Sequence, residues 1–171
     1  MRKILSSALY AILGILLLQA AEPSLRIEGV SGRDGVAKPA LTLTLSDLAG
    51  MPRTKVQVRT HDNQDHTYEG VPLFEILKRA GVPSGEALRG TLLTRYLVMT
   101  AHDGYRVLFS LPELDPAFSD THALLADRMD GAPLPSQQGP FRLVIPGEKR
   151  EARWIRMVER IDVLSAPEAM R

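Results

Sequence analysis

None of the 171 residues is cysteine, and no other feature restricts more tightly what this chain can fold into. Disulfides, thiolate metal sites, a cysteine nucleophile and a lipid-bearing cysteine at a leader junction are excluded together. The restriction is severe because the first residues read as an export signal. Arg2 and Lys3 precede an uncharged apolar run from Ile4 to Leu18, then Gln19-Ala20-Ala21-Glu22-Pro23, the basic, apolar and small-residue order of a secretory signal peptide. The run is short for a membrane-spanning helix, which needs about 20 apolar residues. Cleavage after Ala20 or Ala21 is expected, giving a signal over 1–21 and one domain over 22–171; an uncleaved membrane anchor is the alternative that the same pattern admits. Met-Arg-Lys-Ile-Leu has no paired arginines, so the signal is of the general secretion type, which carries unfolded chains into the periplasm or out of the cell. A domain delivered in this way, with no disulfide to staple it, is held together by its core alone.

The chain can supply a core of that size, since 44% of its residues are hydrophobic and 24% charged, the balance of one globular domain. Removing Arg2 and Lys3 takes Lys+Arg from 21 to 19 against 20 acidic residues, a net charge of about −1 that gives no reason to expect nucleic acid as a partner. There is no internal repeat or low-complexity tract in residues 22–171.

Periodicity places the elements. Leu25-Arg26-Ile27 suggests a first strand, and Leu41, Leu43 and Leu45 alternate with Thr42 and Thr44 as in a half-buried strand. Ser46-Asp47 is expected to cap a short helical turn that stops near Gly50 and Pro52. Lys55–Thr60 alternates again. Pro72 opens a helix in which Leu73, Ile76, Leu77 and Ala80 share one face and Gly81 closes the last turn. Tyr96–Thr100 and Tyr105–Phe109 flank Asp103-Gly104, a hairpin signal in which both central positions favour positive φ. His122–Met129 reads as helix or as buried strand, and so does Trp154–Leu164. Phe141–Ile145, between Pro140 and Pro146, is a strand. Strands outnumber helices without regular alternation, so the fold class is α+β and β-rich.

Several short motifs in fixed order resemble the molybdopterin-binding domain of the sulfite oxidase family. They are Tyr68-Glu69-Gly70-Val71-Pro72-Leu73 leading into a helix ending Ala80-Gly81-Val82, then Asp103-Gly104-Tyr105, Leu124-Leu125-Ala126, Met129-Asp130-Gly131-Ala132-Pro133-Leu134-Pro135, Gly139-Pro140-Phe141-Arg142-Leu143-Val144-Ile145-Pro146-Gly147, and Arg153-Trp154-Ile155. The resemblance spans residues 41–164. It implies mixed, mostly antiparallel sheets with a few short helices, and so favours strands in both ambiguous segments. In catalytic members the loop after the strand matching Lys55–Thr60 carries a cysteine that binds molybdenum; here that loop is His61-Asp62-Asn63-Gln64-Asp65-His66, whose imidazoles and carboxylates do not reproduce a soft thiolate. Gln138 stands where members often have histidine. The export type is a second departure, since exported enzymes of the family usually cross folded with the cofactor in place.

The resulting expectation is a cysteine-less member with no cofactor, acting as a small-anion-binding or sensory and accessory module rather than an enzyme. Its partner is a small anionic ligand or a periplasmic or membrane protein. Arg142 and Arg153 are the expected anion ligands, with Tyr68 and Tyr105 beside the cleft and His61 at its loop. Two alternatives differ in class. One is an oxidoreductase that still binds molybdopterin, with His61 or solvent in place of the thiolate. The other is a metal or haem protein using His61 and His66, which a hairpin would bring opposite each other; the plain reading of that loop is a polar turn. Glu148, Glu151 and Glu159 are read as neutralising a solvated edge among Lys149, Arg150, Arg153 and Arg156.

Overall fold

The structure, a computed structural model, describes residues 22–32 and 34–167, so the expected signal over 1–21 lies outside the described residues. Among the described residues, ten strands form two sheets. In the first, β1 (Ser24–Glu28) lies between β2 (Leu41–Thr44) and β10 (Val158–Ser165), and β10 is followed by β5 (Arg95–Ala101) and β6 (Arg106–Ser110). The β1–β10 pair is parallel and every other pair in this sheet is antiparallel. In the second, β3 (Thr54–Arg59), β4 (Asp65–Pro72) and β7 (Leu124–Met129) are antiparallel neighbours, and the far side of β7 pairs with β8 (Ala132–Pro133) and β9 (Arg142–Val144). The expected α+β class with mostly antiparallel sheets is the one observed, and both ambiguous segments contain strands.

Leu25 and Ile27 of β1, Leu97 and Met99 of β5 and Ile161 of β10 share one buried cluster with Val71, Leu125, Leu143 and Val144 of the second sheet. Alternation along β1 and β5 supplies their inward residues, whereas β9 is buried at consecutive positions, and the core joins the sheets without a covalent tie. Helix α2 (Leu73–Arg79) buries Leu73, Ile76 and Leu77. It ends as its sequence predicts: Gly81 has φ +79°, Gly81 N donates to Lys78 O and Val82 N to Leu77 O, the paired bonds of a Schellman motif.

Three local expectations need correction. The short helix α1 (Leu45–Ala49) is capped by Thr44, not by Ser46; Thr44 Oγ1 accepts from Asp47 N, and the Asp47 carboxylate accepts from Thr44 N at 2.9 Å. The helix begins two residues earlier than Ser46-Asp47 suggests, which makes Asp47 the reciprocal partner of the cap and not the cap itself. At the β5–β6 hairpin only Gly104 has positive φ, at +84°; Gly104 N donates to Ala101 O and Ala101 N to Tyr105 O, so the connection is a turn with a bulge residue instead of a two-residue loop. A third helix, α3 (Leu111–Leu114), has no counterpart in the periodicity. Ser110 and Glu113 form its capping box. Among the described residues no helix is long and apolar enough to cross a membrane.

Candidate functional site

Strand β4 positions the site because its neighbours Tyr68 and Glu69 project to opposite faces. Gly70 makes this local geometry achievable. The pairing of β4 with β7 shifts between Glu69 and Gly70, and a Cβ on Gly70 would lie 2.0 Å from Leu125 O and 2.6 Å from Ala126 Cα. Only glycine lets the strands approach so closely.

On one side of this join lies a cavity of about 390 Å³, lined among others by His61, Tyr68, Gln138, Arg142, Glu151 and Trp154. Arg142, at the start of β9, is only 6% exposed. Its Nη1 donates to Tyr68 Oη at 2.9 Å and to Gln138 Oε1, and its Nη2 donates to Glu151 Oε2 at 3.1 Å. The guanidinium carbon lies 5.2 Å from the Tyr68 ring centroid and 5.8 Å from that of Trp154, placements that offset part of the cost of burying a cation. Burial pushes the Tyr68 hydroxyl pKa up, against the opposing pull of Arg142. The phenol therefore stays neutral and supplies a hydrogen-bond acceptor without a compensating charge.

Two buried N–H groups in this wall, Arg142 Nε and Trp154 Nε1, have no hydrogen-bond partner among the described residues. Each such group costs about 1–3 kcal/mol relative to a satisfied one, and a native structure carries few of them. Trp154 is buried, as its size leads one to expect, and it also lines the cavity.

The expected site residues separate into two groups. Arg142, Tyr68 and His61 meet at the cavity. Arg153 faces elsewhere: it donates to Glu148, donates through Nη1 to Glu113 Oε1 at 2.8 Å, and lies 4.5 Å over the Phe109 ring. Burial opposes its charge, but those carboxylates outweigh it and raise the Arg153 pKa. Tyr105 lines an adjoining cavity of about 270 Å³ and donates from its hydroxyl to Ala152 O at 2.8 Å. Both residues thereby fasten the 3₁₀ turn Glu151–Arg153.

Glu151, which its charged neighbours place on a solvated edge when the sequence is read alone, belongs to the site. Its side chain is 17% exposed; Oε2 accepts from Arg142, and Oε1 accepts from the His61 backbone N–H at 2.7 Å. Glu148 is likewise committed, to Arg153, whereas Glu159 does lie at the surface beside His102. A basic residue closely followed by an acidic one gives no sign of which pairs fold inward. The deciding feature is the turn that carries 151 back to 142.

The loop after β3 is a polar turn. Its closing bond runs from the Thr60 N–H to Gln64 O at 2.9 Å, and Asn63 takes φ +63°. The Thr60 hydroxyl, and then the Gln64 N–H, hold the Asp62 carboxyl below its usual range. The register sets Asp65 opposite Arg59 and His66 opposite Val58, so His61 and His66 are not cross-strand partners. His61 Nδ1 lies 3.5 Å from Glu151, while His66 Nδ1 meets Asp130 at 2.6 Å. Among the described residues no group of three or more His, Asp or Glu side chains is arranged to hold a metal ion.

A family model described as the oxidoreductase molybdopterin binding domain matches residues 18–170. Among solved structures, the sulfane dehydrogenase SoxCD from Paracoccus pantotrophus matches at 21% identity with a TM-score of 0.61, over 82% of this chain and 38% of that chain. That likeness is one of fold, and this chain spans well under half the length of that neighbour. No curated protein matches the sequence.

Proposed function

The chain belongs to the oxidoreductase molybdopterin-binding domain family, and from that premise we propose that it is an exported anion-binding module that keeps the sulfite oxidase fold without the redox centre. The observation that carries this reading is Arg142: a buried guanidinium in an open cavity, bonded to two neutral acceptors and one carboxylate, with Nε unpartnered among the described residues. A cation in that state attracts a compact oxyanion, because a charge-assisted bond is stronger than a neutral one and strengthens as water is excluded.

The residues present do not fit a molybdenum centre held by a thiolate. The chain has no cysteine; the His61 side chain is 83% exposed, and Asp62 is committed to Thr60 and Gln64. Hard oxygen and imidazole donors suit other metals. No chemical step is therefore assigned to that group, and the role is binding: Arg142 supplies charge and orientation, while the Tyr68 and Trp154 rings wall it from solvent. Delivery unfolded by the general secretion route, expected from Arg2, Lys3 and Ile4–Leu18, supports the same reading, as such a chain reaches its compartment without a preloaded cofactor. Sensory or accessory action towards a periplasmic or membrane partner is part of the same reading, with occupancy of the cavity as the signal.

Calorimetric titration with acetate, methanesulfonate and phosphate at constant ionic strength tests the reading. At least one anion is expected to bind saturably to the wild-type protein and not to a folded Arg142→Met variant. Retention of the same affinity in that variant excludes Arg142 from the site.

A further inference from the structure

We propose that Glu151 is a resident surrogate for the ligand, a built-in carboxylate that an incoming carboxylate or sulfonate displaces; this rests on the anion-binding reading above. Its two oxygens already perform what a bound oxyanion would do. One accepts from the His61 backbone N–H at 2.7 Å and the other from Arg142 Nη2 at 3.1 Å. Backbone N–H plus guanidinium is a donor pair suited to two oxygens on one atom. A ligand that takes both bonds must therefore present such a pair, which selects a carboxylate or sulfonate over a halide.

The surroundings allow the side chain to leave without carrying its backbone along. Within the 3₁₀ turn Glu151–Arg153, Ala152 O is held by the Tyr105 hydroxyl, and Arg153 is held by Glu148 and Glu113. Of the two charged residues of the turn, Glu151 alone lines the cavity with Arg142 and His61, so rotation about its own bonds vacates the donors. Arg156 lines the same cavity and makes no ion pair among the described residues. It gives the released carboxylate, or a third oxygen of a sulfonate, a cation to approach. The surrogate also sets the threshold: an anion must outcompete an intramolecular carboxylate whose effective concentration is high, so only ligands abundant or well matched in shape occupy the site.

The test compares wild type with Glu151→Gln, which keeps the shape and removes the charge. Titration with methanesulfonate and with acetate, at constant ionic strength, is expected to show binding to Glu151→Gln that is roughly tenfold tighter or more, because a competing negative charge has been taken from the donors. Glu151→Ala is expected to give the same ordering, and the double variant Arg142→Met/Glu151→Gln to bind neither. In Glu151→Gln the His61 amide proton is expected to move on titration further than in wild type. Equal or weaker affinity in both Glu151 variants overturns the surrogate while leaving anion binding intact. Absence of binding in wild type and in both variants overturns the anion reading itself.

Discussion

The two faces of β4 carry two arginines in opposite states. On the face reached by Glu69, Arg53 donates through Nε to Glu69 at 3.0 Å and through both terminal nitrogens to Asp127 at 2.9 and 2.6 Å. Every direction of the fork meets a carboxylate, and these bonds, foremost those to Asp127, raise the Arg53 pKa far beyond its ordinary value despite partial burial. On the face reached by Tyr68, Arg142 has one carboxylate, two neutral acceptors, two aromatic rings and an Nε unpartnered among the described residues. The first arrangement is electrostatically closed and fastens β4 to β7. The second is open on a cavity. Residue type does not distinguish the closed arginine from the open one; the number and charge of their partners do.

The largest effect is expected from Gly70→Ala, which strikes the join common to both faces. The added methyl has to displace the backbone at Leu125 and Ala126, and a loss of about 3 kcal/mol or more is expected, read by urea denaturation. A near-neutral result contradicts the close approach of β4 to β7.

Next in size are the two arginines themselves. Arg53→Met removes the cation that Glu69 and Asp127 share, leaving Glu69 only Lys55 Nζ at 3.5 Å, and is expected to cost about 2 kcal/mol, with anion titrations unchanged. Arg142→Met is expected to cost a similar amount, about 2 kcal/mol, and to remove anion binding as well. The sequence suggests Arg142 only as an anion ligand; at 6% exposure, with three side-chain partners, it is also part of the packed interior, so its removal is expected to cost stability. Loss of anion binding in Arg53→Met as well would erase the distinction between the faces.

A smaller effect sharpens the closed side. The Arg53 guanidinium holds the Glu69 carboxyl below its usual range, against a lesser upward push from burial. A carboxylate depressed by folding contributes stability that is present above its unfolded pKa, about 4.3, and is lost as pH falls through the folded value. Wild type is therefore expected to lose stability on acidification below about pH 4 more steeply than Arg53→Met. Denaturant titrations from neutral to acid pH measure that difference in slope, and identical slopes contradict it. The smallest effect belongs to His61→Ala, expected within about 0.5 kcal/mol of wild type. Anion affinity is expected to persist there, since Glu151 uses the His61 backbone N–H and not its ring as the close donor.

Much of the fold is legible because its determinants are local. The apolar face of α2 and the φ of Gly81 can be read from residues 72–82, and alternation marks β2, β3, β5 and β6. Helix α3 carries a signal too, in Ser110 and Glu113 with Pro112 between them, but four residues are too few for periodicity to register. The site is legible in part. Motif order points to Arg142 and Tyr68, while Arg153 beside Trp154 looks equivalent and is turned towards Glu148 and Glu113. Glu151 stays hidden because its partners, Arg142 and the amide of His61, come from separate elements. Gly70 is part of a motif, but the reason for it appears only when the Leu125 backbone lies against it. What escapes a linear reading is the contact made across elements, which is where both the closed and the open arginine acquire their character.

The reading of the cavity as an anion site without a redox centre stands or falls on the molybdenum and pterin content of the protein isolated from its native host. Neither is expected in stoichiometric amount, with the isolated protein still binding a carboxylate or sulfonate in an Arg142-dependent manner. One molybdenum and one pterin per chain, with oxidoreductase turnover that disappears when they are removed, would contradict it.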